Sequence, residues 1–237
     1  MNSDGIQPLS QPEARTANGS EPIGASEIQQ FVDLLRIPDD GPVERYVQQW
    51  LAAGLAPELI LTELVTPAAR RIGEEWMADD CDFVDVTLVT GRLQRIVRET
   101  APALPADVPI PESDRPRALL TSLAGHAHTL GMLLVAEFFR AASWNVHLGA
   151  PFDNRPGSEV VSDRFFHVVG LSMSLVETVP QVKEEIRRIR RRSRNPRIGV
   201  MVGGPALLEN PELAKDVGAD AHTLDARLAP QLASAFL

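Results

Sequence analysis

Cysteine is nearly missing from this chain: Cys81 is the single one in 237 residues. A lone thiol excludes an internal disulfide and any zinc site built on cysteine pairs. Positive charge is also short, with 23 Lys and Arg against 32 Asp and Glu and a net charge of −9. That balance argues against a grip on nucleic acid, and no helix-turn-helix pattern offsets it. No apolar run reaches membrane-spanning length, and no charged-then-apolar leader opens the chain. The expectation is a cytoplasmic protein with no membrane contact and no specific DNA binding of its own. No internal repeat is visible.

What is present falls into segments. Residues 1–25 are rich in Gln, Pro, Ser, Gly and Asn and read as a disordered tail. Residues 26–101 carry helical periodicity. Ile28, Phe31, Val32 and Leu35 make a first helix, and Gly41-Pro42-Val43-Glu44 opens a second that Gly54 ends. Pro57 opens a third, through Leu61, Leu64, Val65, Ala68, Ile72 and Trp76. Asp82 with Asp85 forms an acidic capping box for a fourth, with Phe83, Val86, Val89, Leu93, Ile96 and Val97 along one side. Four helices with short turns predict a small all-α bundle. Residues 102–116 hold Pro102, Pro105, Pro109, Pro111 and Pro116, a stiff linker where a domain boundary belongs.

From 117 to 237 the rhythm alternates. Strands are expected at 118–123, 145–148, 167–171, 198–202 and 219–223. Helices are expected near 130–142, 158–164, 179–192 and 212–217, with a last one after Asp225. Thr178 and Gln181 fit a capping box for the helix at 179–192. Such alternation predicts a Rossmann-like, flavodoxin-like α/β domain: a doubly wound, five-stranded parallel sheet. Its ligand site belongs in the loops at the carboxyl ends of the strands.

Three of those loops are distinctive. After the first strand comes Gly125-His126-Ala127-His128-Thr129-Leu130-Gly131, after the third Ser172-Met173-Ser174-Leu175, and after the fourth Gly203-Gly204-Pro205. Histidine on such a loop can be a metal ligand, an acid or base, or a satisfied polar group. The serines offer small hydrogen-bonding groups, and the glycine pair lets a bulky ligand approach the backbone.

Taken together and in this order, the loops resemble those of the cobalamin-binding Rossmann-like domain. His128 and Gly131 match its Asp-x-His-x-x-Gly motif, Ser172 and Ser174 its serine motif, and Gly203 with Gly204 its glycine pair. The resemblance implies His128 as the lower axial ligand of cobalt. It also implies Ser172, Ser174, Leu175, Gly203 and Gly204 as the lining of the slot for the dimethylbenzimidazole tail. His126 stands where the family has an acidic residue, so the ligating imidazole would have a second imidazole beside it rather than a carboxylate. A helical bundle ahead of this domain resembles the cap of methionine synthase and of light-sensing cobalamin regulators. Trp76 sits where a tryptophan covers the upper face of the corrin. Val86 and Thr87 occupy the places of the Glu-His pair of the light sensors, so an upper histidine from that helix is absent.

The segment from Trp76 to Thr87, with Gly91-Arg92-Leu93-Gln94 after it, resembles a narrower group: the AerR/PpaA-type regulators of photosynthesis genes in purple bacteria. It also resembles the heme-sensing domain of AppA-type antirepressors. The resemblance implies a sensor or antirepressor that controls transcription through a PpsR/CrtJ-type repressor, with cobalamin as cofactor (hydroxocobalamin or adenosylcobalamin) and no catalysis of its own. Two alternatives stay open: a corrinoid carrier subunit for methyl transfer, and a heme sensor of the same fold. The basic run from Lys183 to Arg197 reads as a solvated helix face, with docking of an acidic partner as its alternative. Cys81 reads as a small buried residue rather than a ligand.

Overall fold

The computed structural model describes residues 23–107, 110–123, 129–153, 155–174 and 178–237. Its contacts gather into two compact units, Met1–Val89 and Thr90–Leu237.

The first unit is helical. Helices α1 (Ala25–Arg36) and α2 (Gly41–Ala52) are followed by one continuous helical stretch. That stretch is α over Pro57–Leu59 (α3), π over Ile60–Val65, and α again over Thr66–Met77 (α4). The π turn holds four buried side chains in six residues, Ile60, Leu61, Leu64 and Val65. Its wider winding lets more of the chain face inward than a 3.6-residue repeat allows. Those four pack into a core with Phe31, Val32 and Leu35 of α1 and Val43, Tyr46 and Trp50 of α2. Phe31 and Tyr46 stack with ring centroids 6.0 Å apart.

Helix α5 (Phe83–Thr100) starts at a reciprocal cap. Asp82 Oδ1 accepts from the amides of Val84 at 2.8 Å and Asp85 at 2.9 Å, while the Asp82 amide donates to Asp85 Oδ2 at 3.4 Å. The acidic capping box therefore forms. The apolar side expected along this helix is buried only from Val89 onward. Phe83 is 73% exposed and Val84 69% exposed, because nothing among the described residues packs over the first turn. The sequence places a boundary after residue 101, whereas the two units divide inside α5. Leu104 is buried and the Asp107 amide donates to Ala141 O at 3.0 Å. The start of the proline-rich stretch thus lies along the second unit.

That unit is a five-stranded, all-parallel sheet in the order β2-β1-β3-β4-β5. The strands are β1 (Arg117–Ser122), β2 (Asn145–Leu148), β3 (Val168–Ser172), β4 (Gly199–Gly203) and β5 (Ala221–His222). Helices α6 (Leu130–Ala141) and α11 (Ala229–Ala233) lie on one face, where Met132, Ala136, Phe139, Ala229 and Ala233 pack on Ala118, Leu120, Val168 and Met201. Helices α7 (Gly157–Asp163), α8 (Val179–Arg192), α9 (Ala206–Glu209) and α10 (Leu213–Val217) lie on the other. There Val160, Val182, Ile186, Ile189, Leu207 and Leu213 meet Leu119, Val169, Leu171, Val200 and Val202. The strand order reverses between β1 and β3, which puts the switch point at the carboxyl ends of those two strands.

Two details depart from the sequence reading. Thr178 precedes α8 in a helical conformation and makes no side-chain capping bond, so the Thr178–Gln181 box does not form. Glu185 supplies a different cap: its buried carboxylate accepts from the Ser158 amide at 2.7 Å and so satisfies the amino end of α7. Helix α9 was not expected.

Candidate functional site

Strand pairing sets the site. Ser122 of β1 pairs with Ser172 of β3, and Ser172 pairs with Gly203 of β4, so the three form one row across the carboxyl edge. Side chains alternate along a strand. Ala118 and Leu120, then Val168, then Met201 face α6 and α11. The row Ser122–Ser172–Gly203 therefore faces the same way. The row before it is Leu120–Gly170–Met201. A Cβ on Gly170 would come within 2.7 Å of the Leu120 side chain. Toward its carboxyl edge this face thins from apolar bulk to Gly and Ser.

The hydroxyls in that corner differ. Ser122 is buried and donates to Ala150 O at 3.1 Å. Ser172 and Ser174 are half-buried, and neither hydroxyl has a partner among the described residues. The two loops beyond the strands lock together: the Met173 amide donates to Gly203 O at 2.8 Å, and the Ala206 amide to Met173 O at 3.2 Å. Gly204 sits at φ 115°, and a Cβ there would lie 2.4 Å from Met173 O. Glycine is required on both counts, since an L side chain would be strained in φ and would overlap the neighbouring strand's backbone. A Cβ on Gly203 would meet Thr223 O at 3.2 Å. The predicted residues Ser172, Ser174, Gly203 and Gly204 are thus brought to one corner. Gly170 and Ser122 join them; the signal for Gly170 was a glycine inside an otherwise β-branched and leucine strand.

Gly131 lies in the first turn of α6, exposed, with open space around its Cα. His126, His128 and Leu175 lie outside the described residues. Trp76 belongs to the first unit, in the last turn of α4, and is 45% exposed, so it is not a core side chain there. Cys81 is half-buried, with Sγ 3.9 Å from Ile72 O. Burial first, and then the Glu75 carboxylate, push its thiol above the ordinary cysteine value, which disfavours the thiolate that would ligate a metal. Among the described residues no three His, Cys, Asp or Glu side chains gather to hold a metal ion. None of the described helices is long and apolar enough to cross a membrane.

A recess of about 560 Å³ beside α8 also borders Ser122 and is lined by Leu123, Thr178, Gln181, Glu184 and Arg188, among others. Glu184 in it is already paired with Arg188 at 3.1 Å and Arg191 at 3.3 Å. Small residues, and hydroxyls without a partner among the described residues, gather at the Ser172–Gly203 corner, which is the candidate site.

Residues 116–229 match the family model of the B12 binding domain. An uncharacterised 20.5 kDa protein in the bchF-crtJ intergenic region of Rhodobacter capsulatus is 25% identical over 180 residues, covering 76% of this chain and 93% of that protein. Among solved structures, the monomethylamine corrinoid protein of Methanosarcina barkeri superposes with a TM-score of 0.70 at 16% identity, covering 90% of this chain and all of that one. At that identity the likeness is one of fold, and it spans a helical part followed by an all-parallel sheet. Over residues 116–229, just under half of its length, the chain is similar to the B12 binding domain.

Proposed function

We propose that this chain is a cobalamin-binding regulatory protein that acts on a transcriptional repressor by protein contact. The observation that carries the cobalamin half is the row Ser122–Ser172–Gly203, with hydroxyls on Ser172 and Ser174 that have no partner among the described residues, beside glycines that admit a close backbone approach. Those residues suit an aromatic nucleotide tail: small side chains leave room, and the hydroxyls can bond its polar atoms. His128 would be the lower cobalt ligand, with His126 beside it, and Trp76 would cover the upper corrin face. Bound cobalamin supplies a cobalt centre whose axial ligation responds to light, redox state and competing ligands; the protein supplies the slot and the lower nitrogen.

The regulatory half rests on the resemblance to AerR/PpaA-type regulators. It is supported by a relative named for its place beside crtJ. The partner in this reading is a PpsR/CrtJ-type repressor, and the chain carries out no turnover of its own. The test is direct. The purified protein, incubated with hydroxocobalamin or hemin and then desalted, should retain cobalamin. His128→Ala, and not His126→Ala, should abolish the protein-ligated spectrum. A loaded protein should then bind the repressor more tightly than the ligand-free one. Retention of hemin alone would favour the heme sensor, and methyl exchange with a methyltransferase partner would favour the corrinoid carrier.

A further inference from the structure

Helix α8 and the turn after it gather positive charge in an acidic chain. Residues 183–197 hold eight of the 23 Lys and Arg against two Glu, while the whole chain nets −9. One of those two, Glu185, is buried and committed to the Ser158 amide. The helix is held rigidly from below, since Val182, Ile186 and Ile189 are buried among the residues of the sheet. On the side away from them, Lys183, Arg187 and Arg191 follow one another every four residues, with Arg190 on one flank and Arg188 on the other. Arg190, Arg191 and Arg192 in the last turn complement the helix dipole. That account does not reach Lys183, Arg187 and Arg188, which precede the last turn.

The fold neutralises only part of this charge. Arg190 pairs with Asp220 at 2.9 Å. Glu184 serves three arginines at once: Arg188 at 3.1 Å, Arg191 at 3.3 Å and Arg187 at 3.9 Å. Glu184 also shows what this face does to a carboxylate. The hydrogen bond from Arg188 holds its carboxyl below the ordinary value. Each guanidinium has five N–H donors, so three of them around one carboxylate keep donors to spare.

We propose that the outer face of α8 is a docking surface for an acidic protein segment, a helix that presents carboxylates every four residues. The proposal does not rest on the cofactor. Two helices share the same rise, so carboxylates about 6 Å apart meet Lys183, Arg187 and Arg191 in register. Arginine forks bind carboxylates with fixed geometry, which adds selectivity to attraction. The face runs the 14 residues of α8, about 21 Å. A short acidic segment stays within that length. A nucleic acid duplex, with a charge about every 1.7 Å, is opposed by the net charge of the chain. None of the large exposed apolar side chains lies between residues 179 and 197, so this face has nothing to insert into a lipid surface.

The experiment measures fluorescence anisotropy with the full chain at physiological salt. The probe is a labelled alanine-based helical peptide as long as α8, with Glu at every fourth residue. A second peptide has the same composition with its Glu residues scattered around the helix. The aligned peptide should bind about tenfold more tightly than the scattered one. Arg187 and Arg191 have side chains 60% and 63% exposed, so the fold does not depend on them. Arg187→Glu with Arg191→Glu should weaken the aligned peptide by about tenfold and leave the melting temperature in place. Arg187→Gln with Arg191→Gln should fall between that variant and wild type. Arg45→Glu with Arg70→Glu, the same charge change in the first unit, should leave binding unaltered. Equal binding of the two peptides would overturn the proposal, and so would an equal loss in the Arg45–Arg70 variant. Tighter binding of a DNA duplex, or of phosphatidylserine vesicles, would assign the face to those anions instead. Self-association in sedimentation velocity, abolished by Arg187→Glu with Arg191→Glu and unaccompanied by peptide binding, would assign it to a second copy of this chain.

Discussion

On the face of the sheet that meets α7, α8 and α10, the three central strands contribute bulk along their length: Leu119, then Val169 and Leu171, then Val200 and Val202, each at most 2% exposed. On the face that meets α6 and α11, the same strands begin with Ala118, Val168 and Gly199, pass through Leu120, Gly170 and Met201, and end with Ser122, Ser172 and Gly203. Both faces are cores at the amino edge. Only one remains a core at the carboxyl edge. A sheet that holds itself together on one side can leave room on the other, and that division of labour lets a binding slot exist without a large cost in stability.

The comparison can be broken by substitutions on each face. The largest effect is expected on the packed side. Leu171→Ala should lower the unfolding free energy by about 3 kcal/mol, read in a urea titration, through lost burial and the cavity left behind. It should leave the spectrum of bound hydroxocobalamin unchanged. On the thinned side the pattern should reverse. Ser172→Leu should shift the melting temperature little and weaken hydroxocobalamin binding by tenfold or more, about 1.4 kcal/mol, because the side chain occupies the slot. If Leu171→Ala perturbs the cofactor and Ser172→Leu does not, the two faces have been assigned the wrong roles.

The smallest effect lies at the amino edge. The Arg117 amide donates to His167 Nδ1 at 2.9 Å, and Phe165 packs edge-on with ring centroids 5.0 Å apart. Burial, and then the Arg117 charge, hold the imidazole below its ordinary value. The unfolded chain therefore takes up the proton first as pH falls. The stability contributed by neutral His167 is complete above about pH 6.5 and declines below it. In His167→Gln the melting temperature should fall less between pH 7.5 and pH 5.5 than in wild type. An equal fall in both would remove this group from the pH dependence.

Sequence periodicity carried the sheet well because each strand is short, apolar and followed by a turn signal. Strand β2 and helix α8 occupy the expected residues, 145–148 and 179–192. Periodicity failed where it reports only that a side chain is apolar. It could not say that Phe83 and Val84 stay exposed, or that β5 shrinks to the two residues paired with β4. In the candidate site, the loops of Ser172, Ser174, Gly203 and Gly204 were legible from their composition. Their register was not, since pairing is a property of three strands at once. The bond from Gln94 to Thr129 carried no signal, because a glutamine on a helix looks like surface until its partner is seen.

Helix α5 has one more consequence. It is a single run of hydrogen bonds from Phe83 to Thr100, and the border between the two compact units falls inside it. A helix severed there would leave about four amides without acceptors at the new end and would forfeit the cooperativity of a long helix.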